Sequence, residues 1–128
     1  MRIVIQVFQL FYIVYSGGYD YILMQNPPCV PILLVFVVHR ILQILFCCGV
    51  QTKLIIDWHN YGYTIMQANK VNPLLCKGAE MYEKMLGKFS DKNFTVSKAF
   101  KRDLSSRFGI QNDTISVLYD RAVKGKFN

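Results

Sequence analysis

The sequence predicts an α/β fold, a parallel sheet with helices on its faces, and three observations carry that expectation. Short apolar runs of strand length alternate with longer stretches of helical periodicity. The run Leu54-Ile55-Ile56 is unbroken, as in parallel strands covered on both faces. Turn and cap signals (Gly17-Gly18, Pro27-Pro28, Asn72-Pro73 and Gly109) punctuate the alternation. Strands that alternate with helices imply right-handed crossovers between parallel neighbours.

Residues 2–15 are strongly apolar, broken by Gln6 and Gln9, and end at Gly17-Gly18. They read as a packed helix closed by the glycines. Arg2 in front also gives them the look of a signal or anchor segment, although no small-residue cleavage site is clear and Tyr12 and Tyr15 do not suit such a segment. Residues 19–24 read as a short buried strand. Gln25-Asn26-Pro27-Pro28 follows as a loop that its prolines force out of the sheet. Pro31 suits the first turn of a helix over 31–48, whose only strongly polar residues are His39, Arg40 and Gln43. That helix has barely the length of a bilayer span and is charged near its middle, so it is expected to pack on the sheet or lie in a membrane surface. His39 and Arg40 then either meet lipid headgroups or reach solvent.

The next strand covers 53–57, and Trp58-His59-Asn60-Tyr61-Gly62-Tyr63-Thr64 follows, too polar and aromatic for a linker. Asn72-Pro73 opens a third helix by an N-cap and a first-turn proline. Leu75, Ala79, Tyr82, Leu86 and Phe89 make its apolar stripe, and Lys77, Glu80, Lys84 and Lys88 its solvated face. A strand over 93–96, a Ser97-capped helix carrying Phe100, Leu104 and Phe108, a stop at Gly109 and a strand over 115–118 complete the series. Tyr119-Asp120-Arg121 sits just past that strand, and the tail to Asn128 is basic and loose.

The 128 residues fit one domain with a real core and leave no room for two. At 52% hydrophobic and 18% charged, the chain is more apolar than an average soluble domain, which excludes disorder and raises membrane contact. The net charge of +7 is uneven: residues 1–64 hold three basic residues (Arg2, Arg40, Lys53) and two acidic ones (Asp20, Asp57), so the remainder carries +6. That suits phosphates or acidic headgroups. The basic residues are dispersed among acids, with no zinc-finger or RNA-binding signature, which argues against nucleic acid. Cys29, Cys47, Cys48 and Cys76 form no CxxC pair and have no histidine at ligand spacing, so reduced thiols and no metal are expected. The sequons at Asn93 and Asn112 are expected to stay unmodified, the first because it opens a buried strand.

In an open α/β sheet ligands bind beyond the carboxyl ends of the strands. Three segments lie there: Gln25-Asn26-Pro27-Pro28, 57–62 and Tyr119-Asp120-Arg121. His59 can accept a proton from a sugar hydroxyl near neutrality, or simply bond loop backbone. Asp57 can orient His59 or a hydroxyl, or cap the turn after its strand. Trp58, Tyr61 and Tyr63 offer faces to sugar rings or belong to the core. Arg121 can pair a phosphate bidentately, or make a surface ion pair with Asp120. No G-x-G-x-x-G, Walker, G-x-S-x-G or H-E-x-x-H motif occurs, which argues against nucleotide-cofactor redox chemistry, P-loop NTPases, serine hydrolases and zinc proteases.

Three stretches go further. Asp20-Tyr21-Ile22-Leu23-Met24-Gln25-Asn26-Pro27-Pro28, then Lys53-Leu54-Ile55-Ile56-Asp57-Trp58-His59-Asn60-Tyr61-Gly62-Tyr63-Thr64, then 82–110 with Val117-Leu118-Tyr119-Asp120-Arg121, resemble in order the eukaryotic β-1,4-mannosyltransferases that extend dolichol-linked chitobiose. The second stretch is the most specific, and the similarity runs over about 3–121. The resemblance implies a Rossmann-like domain forming an incomplete N-terminal, acceptor-side half of a GT-B glycosyltransferase. It implies transfer of mannose from GDP-mannose to chitobiosyl diphospho-dolichol, with inversion, at the cytosolic face of the endoplasmic reticulum membrane, and no cofactor. Catalytic roles fall on His59 and Asp57, and substrate contacts on Asn26, Trp58, Asn60, Tyr61 and Arg121. The family's membrane anchor, its first strand with a Gly-, Arg- and Ser-containing loop, and its GDP-mannose domain have no counterpart in 1–128. A sheet lacking those first strands is expected to expose an edge. The alternative is a non-catalytic membrane-associated module, or the acceptor half of a split transferase.

Overall fold

A computed structural model of the chain describes residues 2–27, 30–46 and 51–119. The elements run α1 (Arg2–Ser16), β1 (Tyr21–Asn26), α2 (Ile32–Phe46), β2 (Lys53–Trp58), α3 (Gly62–Ala68), α4 (Pro73–Leu86), a 3-10 turn (Gly87–Phe89), β3 (Lys92–Thr95), α5 (Lys98–Ser106), a second 3-10 turn (Asn112–Thr114) and β4 (Ile115–Val117). The four strands form one parallel sheet in the order β1-β2-β3-β4, as the alternation predicts.

Local chemistry explains most boundaries. The Asn72 side chain accepts from the Leu74 amide and Pro73 fills the first turn of α4. Ser97 caps α5 by accepting from the Phe100 amide, and Gly109 (φ 68°) turns the chain out after it. β1 runs two residues past its expected end, because Gln25 and Asn26 still pair with Asp57 and Trp58 before the first proline intervenes. α3 was not foreseen; it takes the last part of the aromatic segment. The tail 121–128, Gly49 and the cysteines at 29, 47 and 48 lie outside the described residues.

Strands in sequential order require crossovers that all step the same way, which puts α2, α4 and α5 on one face. Burial agrees. Met24 and Asn26 of β1, Leu54, Ile56 and Trp58 of β2, Asn93 and Thr95 of β3, and Ile115 of β4 point into the core. There they meet Leu33, Phe36 and Val37 of α2, Leu104 of α5 and Phe108 just past it. The other face is open: Tyr21 and Leu23 are 62% and 66% exposed and Ile55 is half-buried. The unbroken run at 54–56 therefore does not mark a strand covered on both sides in the described residues.

α4 also differs from its expected stripe. Leu75 and Phe89 are exposed, while Cys76 and Glu83 are buried alongside the half-buried Ala79, Tyr82 and Leu86. The inward face is turned so that a carboxylate, not a further apolar group, meets the β2–α3 loop. Arg40 forms a two-pronged ion pair with Asp91 and donates to the Phe89 carbonyl. His39 is buried, with Nε2 3.4 Å from Thr52 Oγ1 and its ring edge-on to Tyr15. His39 is held inside the fold, and the partly exposed Arg40 is engaged by Asp91 and the Phe89 carbonyl. α2 has 15 residues, about 22 Å of helix, and no helix among the described residues is long and apolar enough to cross a membrane.

Candidate functional site

The carboxyl end of β2 carries the pair of interest. Asp57 is an odd-position residue of its strand, so its side chain stands on the open face of the sheet. His59 lies one residue past the strand's end and turns back, placing Nε2 2.9 Å from Asp57 Oδ2. Both side chains are about one-third exposed (32% and 31%), enough to reach a ligand while still being held. A carboxylate at hydrogen-bond distance from Nε2 favours the tautomer that carries its proton there and leaves Nδ1 as the acceptor. An imidazole oriented by a carboxylate in this way is a geometry compatible with general-base chemistry.

The same register brings a row of side chains to this edge: Gln25, Asp57, Phe94 and Ser116 are lateral partners on the open face. Gln25 and Ser116 are exposed and Phe94 is half-buried. Phe94 and Ser116 escaped the sequence reading, although their period-two positions in β3 and β4 hold the signal.

The other expected site residues divide. Asn60 is exposed beside His59, at the rim. Asn26 is buried and turned inward; its Nδ2 donates to the Asn60 carbonyl (3.2 Å) and to Glu83 Oε1 (2.9 Å), and its backbone oxygen accepts from the His59 and Asn60 amides. Asn26 Oδ1 has no partner among the described residues.

Of the two readings open for the aromatics, the core reading describes them here. Trp58 is 0% exposed, donates from Nε1 to Asn93 Oδ1 at 2.8 Å, and packs edge-on against Phe108. Tyr61 packs against Phe100, Phe108 and Tyr63, and its hydroxyl donates to Asp103 Oδ2 at 2.6 Å. Burial, reinforced by that carboxylate, holds the Tyr61 phenol far above its ordinary range. Tyr63 is likewise buried, its hydroxyl accepting from Arg107. Covered rings of this kind have no free face for a sugar. Arg121 lies outside the described residues. Among the described residues no group of three His, Cys, Asp or Glu side chains is gathered to hold a metal, and Cys76 is a buried free thiol.

Fold and site together define a Rossmann-like α/β domain with a carboxylate-supported imidazole at the carboxyl edge of its sheet. Over most of its length the chain is similar to chitobiosyldiphosphodolichol beta-mannosyltransferases. It is 44% identical over 108 residues to that of Candida albicans, covering 83% of this chain and 23% of the relative. With the Debaryomyces hansenii protein it shares 40% over 124 residues, covering 94% and 25%. With the human protein it shares 38% over 103 residues, covering 79% and 20%. The chain thus spans about a quarter of the length of these curated relatives. No family model matches it, and no solved structure does.

Proposed function

We propose that this chain is the acceptor-side part of a mannosyltransferase that moves mannose from GDP-mannose to dolichol-diphosphate-linked chitobiose, forming a β-1,4 bond in N-glycan precursor synthesis. The observation that carries the proposal is the His59–Asp57 pair at the carboxyl edge, within a stretch similar to enzymes of that name. An inverting transfer needs one base to take the proton from the acceptor hydroxyl as it attacks the sugar. His59 Nδ1 is that base in this reading, Asp57 its support, and Asn60 a rim contact for the acceptor. Arg121 serves as the partner of a phosphate. The donor site belongs to a second domain.

The reading places the domain against the cytosolic face of the endoplasmic reticulum membrane. Phe8 and Tyr12 of α1 and Ile44, Leu45 and Phe46 of α2 are exposed, and an outer groove of α4 sets Met81 and Met85 among Lys77, Lys84 and Lys88, with Glu80, a mixture suited to anionic lipid. A second reading, the acceptor half of a split transferase, draws support from the open sheet face, which a separate donor-side polypeptide would cover.

The test is His59→Ala in the full-length protein that contains this chain, with mannose transfer to chitobiosyl lipid measured directly. Turnover should fall by about a hundredfold or more. A folded variant with a near-normal rate would assign His59 a structural role only.

A further inference from the structure

Glu83 is the one carboxylate fully buried among the described residues, at 0% exposure on the inward face of α4. Burying a carboxylate is costly unless its oxygens are matched by donors. Donors at the end of β1 and in the loop that leads into α3 meet them. Oε1 accepts from the Gly62 amide at 2.7 Å and from Asn26 Nδ2 at 2.9 Å, while Oε2 lies 3.5 Å from the Tyr63 amide. Gly62 and Tyr63 begin α3, whose N-cap Tyr61 supplies no side-chain cap, so Glu83 does that work from another helix. Asn26 extends the same hold. Its side chain grips the Asn60 carbonyl and its backbone oxygen takes the His59 and Asn60 amides. Residues 59–62 are therefore held at one end by Glu83 directly, through Gly62, and at the other by Asn26, whose side chain Glu83 in turn fixes. An apolar residue at 83 would fill the core equally well but would leave the Gly62 amide and Asn26 Nδ2 without their acceptor.

We propose that Glu83 is a positioning residue for the transferase site: through Asn26 and Gly62 it holds the 59–62 loop in the one register that sets the His59 ring against Asp57. It touches no substrate and acts only through the loop. The inference rests on the reading of His59 as the base, and the experiment separates the two.

In the full-length protein, Glu83→Gln, His59→Ala and the double variant are compared for kcat, for KM of each substrate and for the pH profile of kcat. Thermal melting reports folding. Glu83→Gln keeps the shape but sets an amide among donors; kcat should drop about 10- to 100-fold, as small misplacements of a base do, with KM for the nucleotide sugar within about twofold. The limb of the kcat profile that belongs to the base should shift. The double variant should be no slower than His59→Ala alone, because the two act as a unit. A multiplied loss in the double variant, or a folded Glu83→Gln with normal kcat and profile, would overturn the proposal. Should Glu83→Gln fail to fold, Asn26→Ala cuts the same link and is read by the same non-additivity. Normal activity of His59→Ala alone would defeat the base assignment, whatever Glu83 does.

Discussion

Replacing Trp58 with phenylalanine separates a core residue from a sugar platform. Trp58 is wholly buried, its Nε1 bonded to Asn93 Oδ1 and its ring 6.1–6.2 Å from those of Tyr61 and Phe108. The substitution removes the outer part of the indole and its N–H. Full truncation of a buried tryptophan costs about 3–5 kcal/mol, and less than half of that side chain is lost here, so the packing loss is about 1–2 kcal/mol. The lost hydrogen bond adds about 1 kcal/mol. The Ser90 hydroxyl, 3.0 Å from Asn93 Oδ1, remains as a donor there, shared with the Gly87 carbonyl at 2.7 Å, which limits the further desolvation penalty. The expected total is about 2–3 kcal/mol. Urea unfolding of the chain, followed by tryptophan-independent far-UV dichroism, should show a midpoint lowered by about 1 M or more with an unchanged slope. In the full-length protein the KM for the acceptor should stay within about twofold. A variant as stable as the parent, with an acceptor KM raised tenfold, would refute the core assignment and restore the ring-face role.

Two further outcomes are expected. Gly87 faces Trp58, where an added Cβ would stand 3.1 Å from the ring, so Gly87→Ala should destabilise by about 1–3 kcal/mol in the same urea assay. His39 is held neutral because burial lowers its pKa from 6.5. The unfolded chain then binds the proton first, so His39's contribution is complete above about 6.5 and is lost as pH falls through the lower folded value; urea midpoints should drop across that window, and His39→Gln should flatten the dependence.

Much of this fold was legible because its signals were local. Asn72-Pro73, Ser97 and Gly109 each fix a boundary with a cap or a turn, and strand-length apolar runs between them leave one alternation available. α3 was hidden because nothing in its own sequence caps it; its acceptor is Glu83, 21 positions from Gly62. The same long-range bond explains why the stripe on α4 was misplaced, since a periodic count of apolar residues passes over a glutamate. At the site, Asp57 and His59 were readable as neighbours two positions apart at a strand's end. Asn26 was expected in a rim loop beyond its strand, yet it still pairs in β1 and turns inward. Trp58 continues the period-two rhythm of Leu54 and Ile56, and extending the strand by one residue would have placed it in the core.

The sequential order of the strands bears on how the domain is made. Each strand pairs with the one synthesised just before it, so during translation every new strand finds its template already outside the ribosome. None of the four described strands has to wait for a distant partner among them or insert between two earlier ones. The sheet can therefore lengthen edgewise at the pace of the ribosome, with each crossover helix laid down on the growing layer before the next strand arrives.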